Sequence, residues 1–437
     1  MEFIIKKFSI LLDILLTFLG IISCNLFNKN FLFSSKDRIK NYQYKKLKKL
    51  LIECQKNVPY YKQLFDEIHF NPHSDFHSLE DLKKIPILEK DTLIARRKDF
   101  INSRKKYFYI KTTTSGTSGE PFISYVSFRH WIVEQAVIWR QWKSFGYKFR
   151  DRMAIIRSFN PKHGQPLIKN DKIRNFIYYS PYHLSDENMH DYHKDMISRK
   201  VKFLRGYPSS LKIFASYCKK NNLTIPNLKG IFLASESLND NDKYYIRDTF
   251  NAPVINHYGL AECVVMIGSL DNEKYLYNYD DYGFLETIEK SNDEFEIIGT
   301  NLNNNIMPLI RFNTGDKIKI DADQGSNKRQ INFKKIKNIY GRGNDVIKTK
   351  NKEIPITNIY TVISKISEII KWQIIQKKDL NLIINIKCDI KSELKIKNIL
   401  NSKLLIIKKE DLDIQININS DFIRTGEGKI PVFFREK

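Results

Sequence analysis

The sequence predicts an α/β protein with a large N-terminal domain, built of mostly parallel sheets and flanking helices, and a small C-terminal α+β domain. Three observations predict this. Between residues 202 and 256, short apolar runs alternate with turns and helical stretches, the rhythm of a parallel sheet. After Gly341 the pattern changes, and about a hundred residues carry their own mixture of helical and strand-like periods, a normal size for a separate domain. The chain has 437 residues, 42% hydrophobic and 13% aromatic, enough for one large core and a satellite.

Taken in order, residues 1–35 form a first segment. Its apolar run, residues 9–24, follows Lys6-Lys7, is short for a membrane span and contains Asp13. Two readings stand: a helix lying on a membrane surface, or a helix docked on the main domain or a second subunit. Residues 37–56 have helical periodicity, with Leu47, Leu50, Leu51 and Cys54 as the inner face, and Pro59 keeps that helix from running on. Residues 130–145 read as another helix, whose Trp131, Ile138, Trp139 and Trp142 suit a core stripe. Residues 202–234 read as strand, helix, strand. The alternating runs 295–298 and 317–320 suggest antiparallel strands flanking a turn at Arg311-Phe312-Asn313-Thr314-Gly315-Asp316. Beyond Gly341, residues 354–371 read as mostly helical, 380–386 and 414–418 as strands, and 392–405 as a helix.

The strongest chemical signal is Thr112-Thr113-Thr114-Ser115-Gly116-Thr117-Ser118-Gly119-Glu120-Pro121, directly after the β-like run at residues 107–110. Glycines bring backbone N–H groups close to a phosphate, and hydroxyls add donors. It is not a Walker A loop, because no Gly-Lys-Ser/Thr follows at the required spacing. Alone, it is equally a Ser/Thr-rich linker. Four later segments accompany it: His257-Tyr258-Gly259-Leu260-Ala261-Glu262, Met307-Pro308-Leu309-Ile310 leading into the turn ending at Asp316, Gly341-Arg342-Gly343-Asn344-Asp345, and Arg424-Thr425-Gly426-Glu427-Gly428-Lys429. A tyrosine and glutamate at the end of a strand can stack on a base and hold Mg²⁺. Taken alone, this hexapeptide reads better as a buried tyrosine and a solvated glutamate. An aspartate at a glycine turn can accept both hydroxyls of a ribose, or be an ordinary turn residue. A lysine on a glycine-flanked loop is a mobile cation for a phosphate, or simply solvated.

Composition narrows the partners. With 73 basic and 49 acidic residues, the net charge is +24. That excess means affinity for a polyanion (coenzyme A, nucleic acid or an anionic membrane) or a lysine-rich solvated surface. No nucleic-acid recognition module is visible, so no nucleic-acid partner is expected. The five cysteines are scattered without CxxC pairs, which argues against zinc and against a disulfide framework and suits a reducing cytosol.

The five segments, in this order, resemble those of the adenylate-forming enzymes, and specifically the phenylacetate–CoA ligase branch with its capsular-polysaccharide CapK-like members. Three stretches typify that branch: Asn57-Val58-Pro59-Tyr60-Tyr61, Arg205-Gly206-Tyr207-Pro208-Ser209, and Met307 to Asp316. The resemblance covers roughly residues 36–437. It implies a large domain over residues 36–340 and a small mobile lid over 341–437.

The resemblance also implies an ATP-dependent, AMP-forming carboxylate ligase. A carboxylic acid is activated as acyl-AMP and then passed to a thiol, with ATP, Mg²⁺ and coenzyme A as cofactors. Thr114, Ser115, Gly116, Thr117, Ser118 and Gly119 would wrap the β- and γ-phosphates. Tyr258 with Gly259 would lie against adenine, and Ser235, Glu236 and Ser237 would form the neighbouring edge of that pocket. Glu262 would ligate Mg²⁺, Asp316 would bind the ribose hydroxyls, and Arg342 would sit near ribose or phosphate. Lys429 would bridge the attacking carboxylate and the α-phosphate. Lys429, Glu262 and Thr117 are thus the catalytic candidates.

The chain departs from the family at Asn344, where Asp is usual at the hinge, and at Asn351, where Gly is common. Neither change removes a required charge. Two alternatives stay open: an adenylating enzyme with a carrier thiol, amine or glycan hydroxyl as acceptor, or a non-catalytic nucleotide-binding partner of a polysaccharide assembly complex. Ile21-Ile22-Ser23-Cys24 resembles a lipoprotein cleavage site, but an ATP-dependent enzyme has little use for export. A cytoplasmic location is expected, with residues 1–30 open to the inner membrane face and a homodimer also open.

Overall fold

The structure is a computed structural model. It describes residues 15, 17–24, 31–104, 109–113, 123–236, 238–270, 275–291, 294–320, 324, 331–340, 346–349, 353–356, 359, 362–363, 366, 368–404, 412–425 and 428–436. By compactness the chain divides into two units. One comprises Met1–Thr114, Pro121–Gly146 and His257–Tyr340; the other comprises Ser115–Glu120, Tyr147–Asn256 and Gly341–Lys437.

In the first unit, helix Lys36–Asn57 starts at Ser35, whose hydroxyl accepts from the Arg38 N–H, and buries Leu47, Leu50, Leu51 and Cys54 as its periodicity predicts. Pro59 does more than stop that helix. It occupies the first position of a second one, Pro59–Glu67, where its missing N–H costs nothing. Before these, residues 17–23 are helical. Thr17 and Cys24 are buried there. A side chain at Gly20 would collide with Gln135.

The sheet of this unit is an antiparallel meander. Strands Gly283–Ser291, Glu294–Asn301, Phe312–Ile320 and Lys335–Tyr340 lie side by side, then Leu276–Asn278, Met266–Gly268 and the end of Val254–Gly259. The antiparallel pair expected around residues 295–298 and 317–320 is present, but the expected turn before Asp316 is not. Residues Phe312–Ile320 run on as one strand with an irregular register opposite Glu296 and Ile298. The reason is local. Asn313 Oδ1 accepts from the Gly315 N–H and Thr314 Oγ1 from the Asp316 N–H, and Gly315 takes φ +73°. The turn chemistry is spent on a bulge inside the strand.

Two of the branch-typical stretches brace one another. The Tyr61 hydroxyl, fully buried, accepts from the Ile310 N–H at 2.8 Å. Arg311 is fixed in turn by Glu286 at 3.1 Å and by the carbonyls of Lys83 and Ile85. These motif residues therefore act on the fold.

In the second unit, the parallel pairing is where the rhythm predicts it. Met153–Ile156 pairs in parallel with Phe176–Tyr179 and with Phe203–Gly206, which pairs in parallel with Gly230–Ala234. Every residue of Gly230–Ala234 is buried, as expected for a strand covered on both faces. Helices Asp186–Ser198, Pro208–Lys220 and Asp240–Phe250 supply the covering apolar groups.

The C-terminal segment of this unit has its own core, around Ile374, Ile384, Ile386, Ile396 and Leu400. Strands Ile369–Gln376 and Leu382–Cys388 are antiparallel, flanked by Phe433–Arg435 and Ile414–Ile418, with helix Glu393–Lys403 alongside in sequence. Of residues 354–371, expected to be mostly helical, the described residues 359, 362 and 363 are helical, whereas the two ends of the range are not. Glu353–Pro355 and Ile369–Gln376 are strands. The run Ile369-Ile370-Lys371-Trp372 has enough apolar residues to satisfy either period, and strand pairing with Leu382–Cys388 decides it.

Candidate active site

The candidate residues of the first unit converge. The strand Val254–Gly259 carries Tyr258 to its end, and the bulge in Phe312–Ile320 places Asp316 opposite. The Tyr258 hydroxyl donates to Asp316 Oδ2 at 2.7 Å. Burial, then the Asp316 charge, pushes the Tyr258 phenol well above its ordinary value, so it remains a proton donor. Asp316 is itself 6% exposed.

Four residues beyond Tyr258 lies Glu262, 3% exposed. The tight turn joining them is closed by the Cys263 N–H donating to the Leu260 carbonyl. Among the described residues, no hydrogen bond or ion pair to the Glu262 carboxylate is found. A buried carboxylate with no cation of the described residues against it suits a hard divalent ion arriving with a nucleotide, so the residue fits Mg²⁺. The Thr112 hydroxyl donates to the Ala261 carbonyl at 3.4 Å. Thr112 belongs to the hairpin Ile110–Thr113 with Ile123–Val126, so the base of the hydroxyl-rich loop adjoins the Glu262 turn. The loop residues Thr114, Ser115, Gly116, Thr117, Ser118 and Gly119 lie outside the described residues, as do Ser237 and Arg342.

Sequence reasoning missed a buried polar cluster beside this turn. The Tyr282 hydroxyl donates to Glu134 Oε2 at 3.0 Å and lies 3.0 Å from His130 Nε2. Since its one proton goes to the carboxylate, the histidine must donate from Nε2. Burial pushes the Glu134 carboxyl up, and the hydrogen bond and charge of His130, followed by the Tyr282 hydrogen bond, more than offset this, leaving it below its ordinary value. Donor atoms of His130, Glu134 and Cys263 lie within 4.8 Å of one another. The Tyr282 hydroxyl already joins two of them, so we assign no metal there. The available signal was the spacing of His130 and Glu134 on one helical face.

Ser235, Glu236 and Lys429 belong to the second unit. Ser235 has a left-handed backbone, φ +73°, and its hydroxyl accepts from Arg157 at 3.4 Å. The Glu236 carboxylate accepts from the N–H and hydroxyl of Ser209 and from the Ile430 N–H. The Lys429 ammonium lies 5.9 Å from the centre of the Tyr207 ring, and the Arg157 guanidinium lies 5.2 Å from the same ring. Burial, then the charge of Arg157, lowers the Arg205 guanidinium to about 9. Lys429 and two arginines thus make this region strongly cationic, suited to a polyanion. Tyr207 and Trp139 are buried, Tyr207 hydrogen-bonded to Ser158, consistent with core roles.

No protein-family model matches the chain. At 25% identity over 379 residues, spanning 80% of the chain and 82% of the relative, it is similar to Protein CapK of Staphylococcus aureus. Among solved structures it is similar to a 2-hydroxyisobutyryl-CoA ligase in the postadenylation state in complex with R3-HIB-AMP. That match has a TM-score of 0.67 at 14% identity and covers 93% of this chain and 91% of that one. The same ligase in complex with 2-HIB-AMP and CoA, in the thioesterification state, matches with a TM-score of 0.58 at 15% identity, covering 92% and 91%. The chain therefore has the α/β fold of the adenylate-forming ligases, as its motifs imply.

Proposed function

We propose that this relative of CapK is an AMP-forming ligase that activates a carboxylic acid as acyl-AMP and passes the acyl group to the thiol of coenzyme A. The observation that carries the reading is the Tyr258–Asp316 hydrogen bond, with buried Glu262 four residues on, in a chain of adenylate-forming fold.

In the first half-reaction, a carboxylate oxygen of the acid attacks the α-phosphorus of ATP, the bond to the bridging oxygen breaks, and pyrophosphate leaves. In the second, the thiol sulfur attacks the acyl carbon and AMP leaves. Asp316 accepts the ribose hydroxyls, its carboxylate oriented by Tyr258. The loop at residues 114–119, Thr117 among them, would donate hydrogen bonds to the β- and γ-phosphates, and Arg342 would serve the ribose or a phosphate. Glu262 would hold Mg²⁺, whose charge would screen the phosphates when it is bound. Lys429 would supply a positive charge to the two reacting anions and so reduce their repulsion. Similarity to CapK supports a place in surface-polysaccharide assembly.

The test is acid-dependent release of pyrophosphate across aryl, fatty, amino and sugar acids, with and without coenzyme A. Release needing one acid class, and a thioester formed with coenzyme A, is the expected result. Adenylation without a thioester would move the acceptor to a carrier thiol, amine or glycan hydroxyl. No release with any acid, while ATP still binds, would favour a nucleotide-binding partner role.

A second reading concerns the N-terminal helix, for which we propose a peripheral contact with an anionic membrane surface. Its buried side is Thr17, Gly20 and Cys24, whereas Leu15, Phe18, Leu19 and Ile22 are exposed. These four fall at helical spacing on one face, in a protein of net charge +24. No helix among the described residues is long and apolar enough to cross a membrane. Sedimentation with phosphatidylglycerol vesicles, lost in a Phe18→Ser/Ile22→Ser variant, is expected. Dimer dissociation in that variant without any vesicle binding would assign the face to a second copy.

A further inference from the structure

The loop carrying Lys429 is held on both sides of that residue. Before it, Gly428 has φ +85°, and a side chain there would press on Tyr182 and Pro181 at 2.9 and 3.0 Å. Arg424 donates to the Gly428 carbonyl at 3.1 Å, and the Thr425 hydroxyl accepts from the Lys429 N–H at 3.2 Å. After it, Ile430 is 1% exposed and belongs to the core formed with Leu211, Ile231 and Leu233. An apolar plug therefore sits directly beside the cationic side chain.

One carboxylate ties this plug to the strand–helix framework. Glu236 Oε1 accepts from the Ile430 N–H at 3.1 Å and from the Ser209 hydroxyl at 2.9 Å, while Oε2 accepts from the Ser209 N–H at 2.8 Å. Ser209 is the second residue of helix Pro208–Lys220, so the carboxylate also meets the positive end of that helix. A carboxylate is suited to this place because all three contacts are donors and both of its oxygens accept. Glutamine could satisfy the donors only through its single oxygen.

We infer that Glu236 is a positioning residue, a carboxylate latch that holds the Lys429 loop in place for adenylation and must let go when the loop leaves. This rests on the adenylation role proposed for Lys429. It gives a side chain in the expected adenine-pocket edge a separate task, carried out on the protein's own backbone. It also means that the two half-reactions are affected in opposite senses. Weakening the latch impairs the step that needs Lys429 in place and leaves the other unimpaired or faster.

The test uses the full chain with Glu236→Ala, Glu236→Gln and, as a control for the helix end, Ser209→Ala. Hydrogen exchange of residues 422–432 is read beside that of strand Gly230–Ala234. Acid-dependent exchange of pyrophosphate into ATP and thiolysis of supplied acyl-AMP are measured separately. In Glu236→Ala, exchange of the loop should rise about tenfold with the strand unchanged, and pyrophosphate exchange should lose roughly 10- to 100-fold in kcat with KM for ATP nearly constant. Thiolysis should hold or increase. Glu236→Gln should fall between Glu236→Ala and the native protein, and Ser209→Ala should lie near the native protein. Unchanged loop exchange in both Glu236 variants would overturn the latch. Equal loss of both half-reactions, with exchange raised throughout the unit, would reduce Glu236 to a folding residue. Raised loop exchange in a protein whose native form adenylates no acid would leave the latch standing and overturn the proposed function instead.

Discussion

The phenol hydroxyl of Tyr258 donates a 2.7 Å hydrogen bond to the Asp316 carboxylate across 58 positions of sequence. In the proposed function Asp316 accepts two ribose hydroxyls, and such an acceptor must be held in one orientation before the nucleotide arrives; this bond would do so. Tyr258→Phe should therefore weaken ATP binding about 3- to 10-fold, the worth of one ordinary hydrogen bond, since the bond orients the carboxylate without touching the nucleotide, and leave the KM of the acid unchanged. Asp316→Ala should cost about 100-fold, because both ribose contacts are lost. Calorimetric titration with a non-hydrolysable ATP analogue reads both. Native affinity in Tyr258→Phe would show that the pair serves the fold and not the nucleotide.

Lys429→Ala should separate the half-reactions. If its ammonium acts where the two anions meet, as proposed, adenylation is expected to fall by roughly 10²- to 10³-fold, whereas thiolysis of supplied acyl-AMP does not require the charge. Rapid-quench measurement of each step decides. An equal fall in both would point to a damaged loop or to a different role for the lysine.

Glu262→Gln should raise the Mg²⁺ concentration needed for half-maximal pyrophosphate exchange by about tenfold. The same change should raise the melting temperature measured in chelator, since the carboxylate is 3% exposed with no protein cation on it among the described residues. Unaltered Mg²⁺ dependence would remove Glu262 from the metal site, whatever the melting result.

These candidates could be singled out because they sit in short motifs whose chemistry is carried by type and order: Gly259 before Glu262, Gly315 before Asp316, Gly428 before Lys429. Most strands and helices were legible for a similar reason, since their periods are local. Long-range pairings left no local trace. Nothing near Tyr282 announces that its hydroxyl joins His130 to Glu134, 148 positions away. Nothing near Tyr61 announces the Ile310 N–H. Residues 369–371, the end of the stretch read as mostly helical, were misread for the opposite reason: their pattern fits two periods, and only the pairing of strand Ile369–Gln376 chooses between them.

Arg140 and Asp281 form a buried bidentate pair at 2.6 and 2.9 Å, with the arginine also 5.3 Å from the centre of the Tyr279 ring. Asp281→Ala leaves the guanidinium buried and uncompensated and should cost about 3–5 kcal/mol of stability, read as a lower denaturant midpoint. Arg140→Met combined with Asp281→Leu should recover most of that loss. It also removes Arg140 Nε, which is buried without a hydrogen-bond partner. A double variant as unstable as the single one would mean that the pair fixes the geometry of the surrounding loops and does not merely satisfy two charges.

Asp280, the neighbour of Asp281, sets a pH dependence of the less usual sign. Burial lifts its carboxyl from the ordinary 3.8 to about 6, against the pull of the Asn278 and Lys334 hydrogen bonds. Between those values the folded protein binds the proton more readily than the unfolded chain. Its contribution therefore stabilises fully below about pH 4 and is lost as pH rises through 6, a change on the order of a few kcal/mol. Asp280→Asn should abolish this slope and match or exceed native stability above pH 6. The asparagine keeps an acceptor for the Lys334 N–H. Its amide can also donate to Asn278 Oδ1, which is buried and without a hydrogen-bond partner, once the Asn278 amide turns over. Urea unfolding at half-unit steps from pH 4 to 7 measures the slope. A slope that survives Asp280→Asn belongs to another carboxyl, and a large loss of stability at pH 7 would show that the ionised aspartate is needed for the turn it occupies.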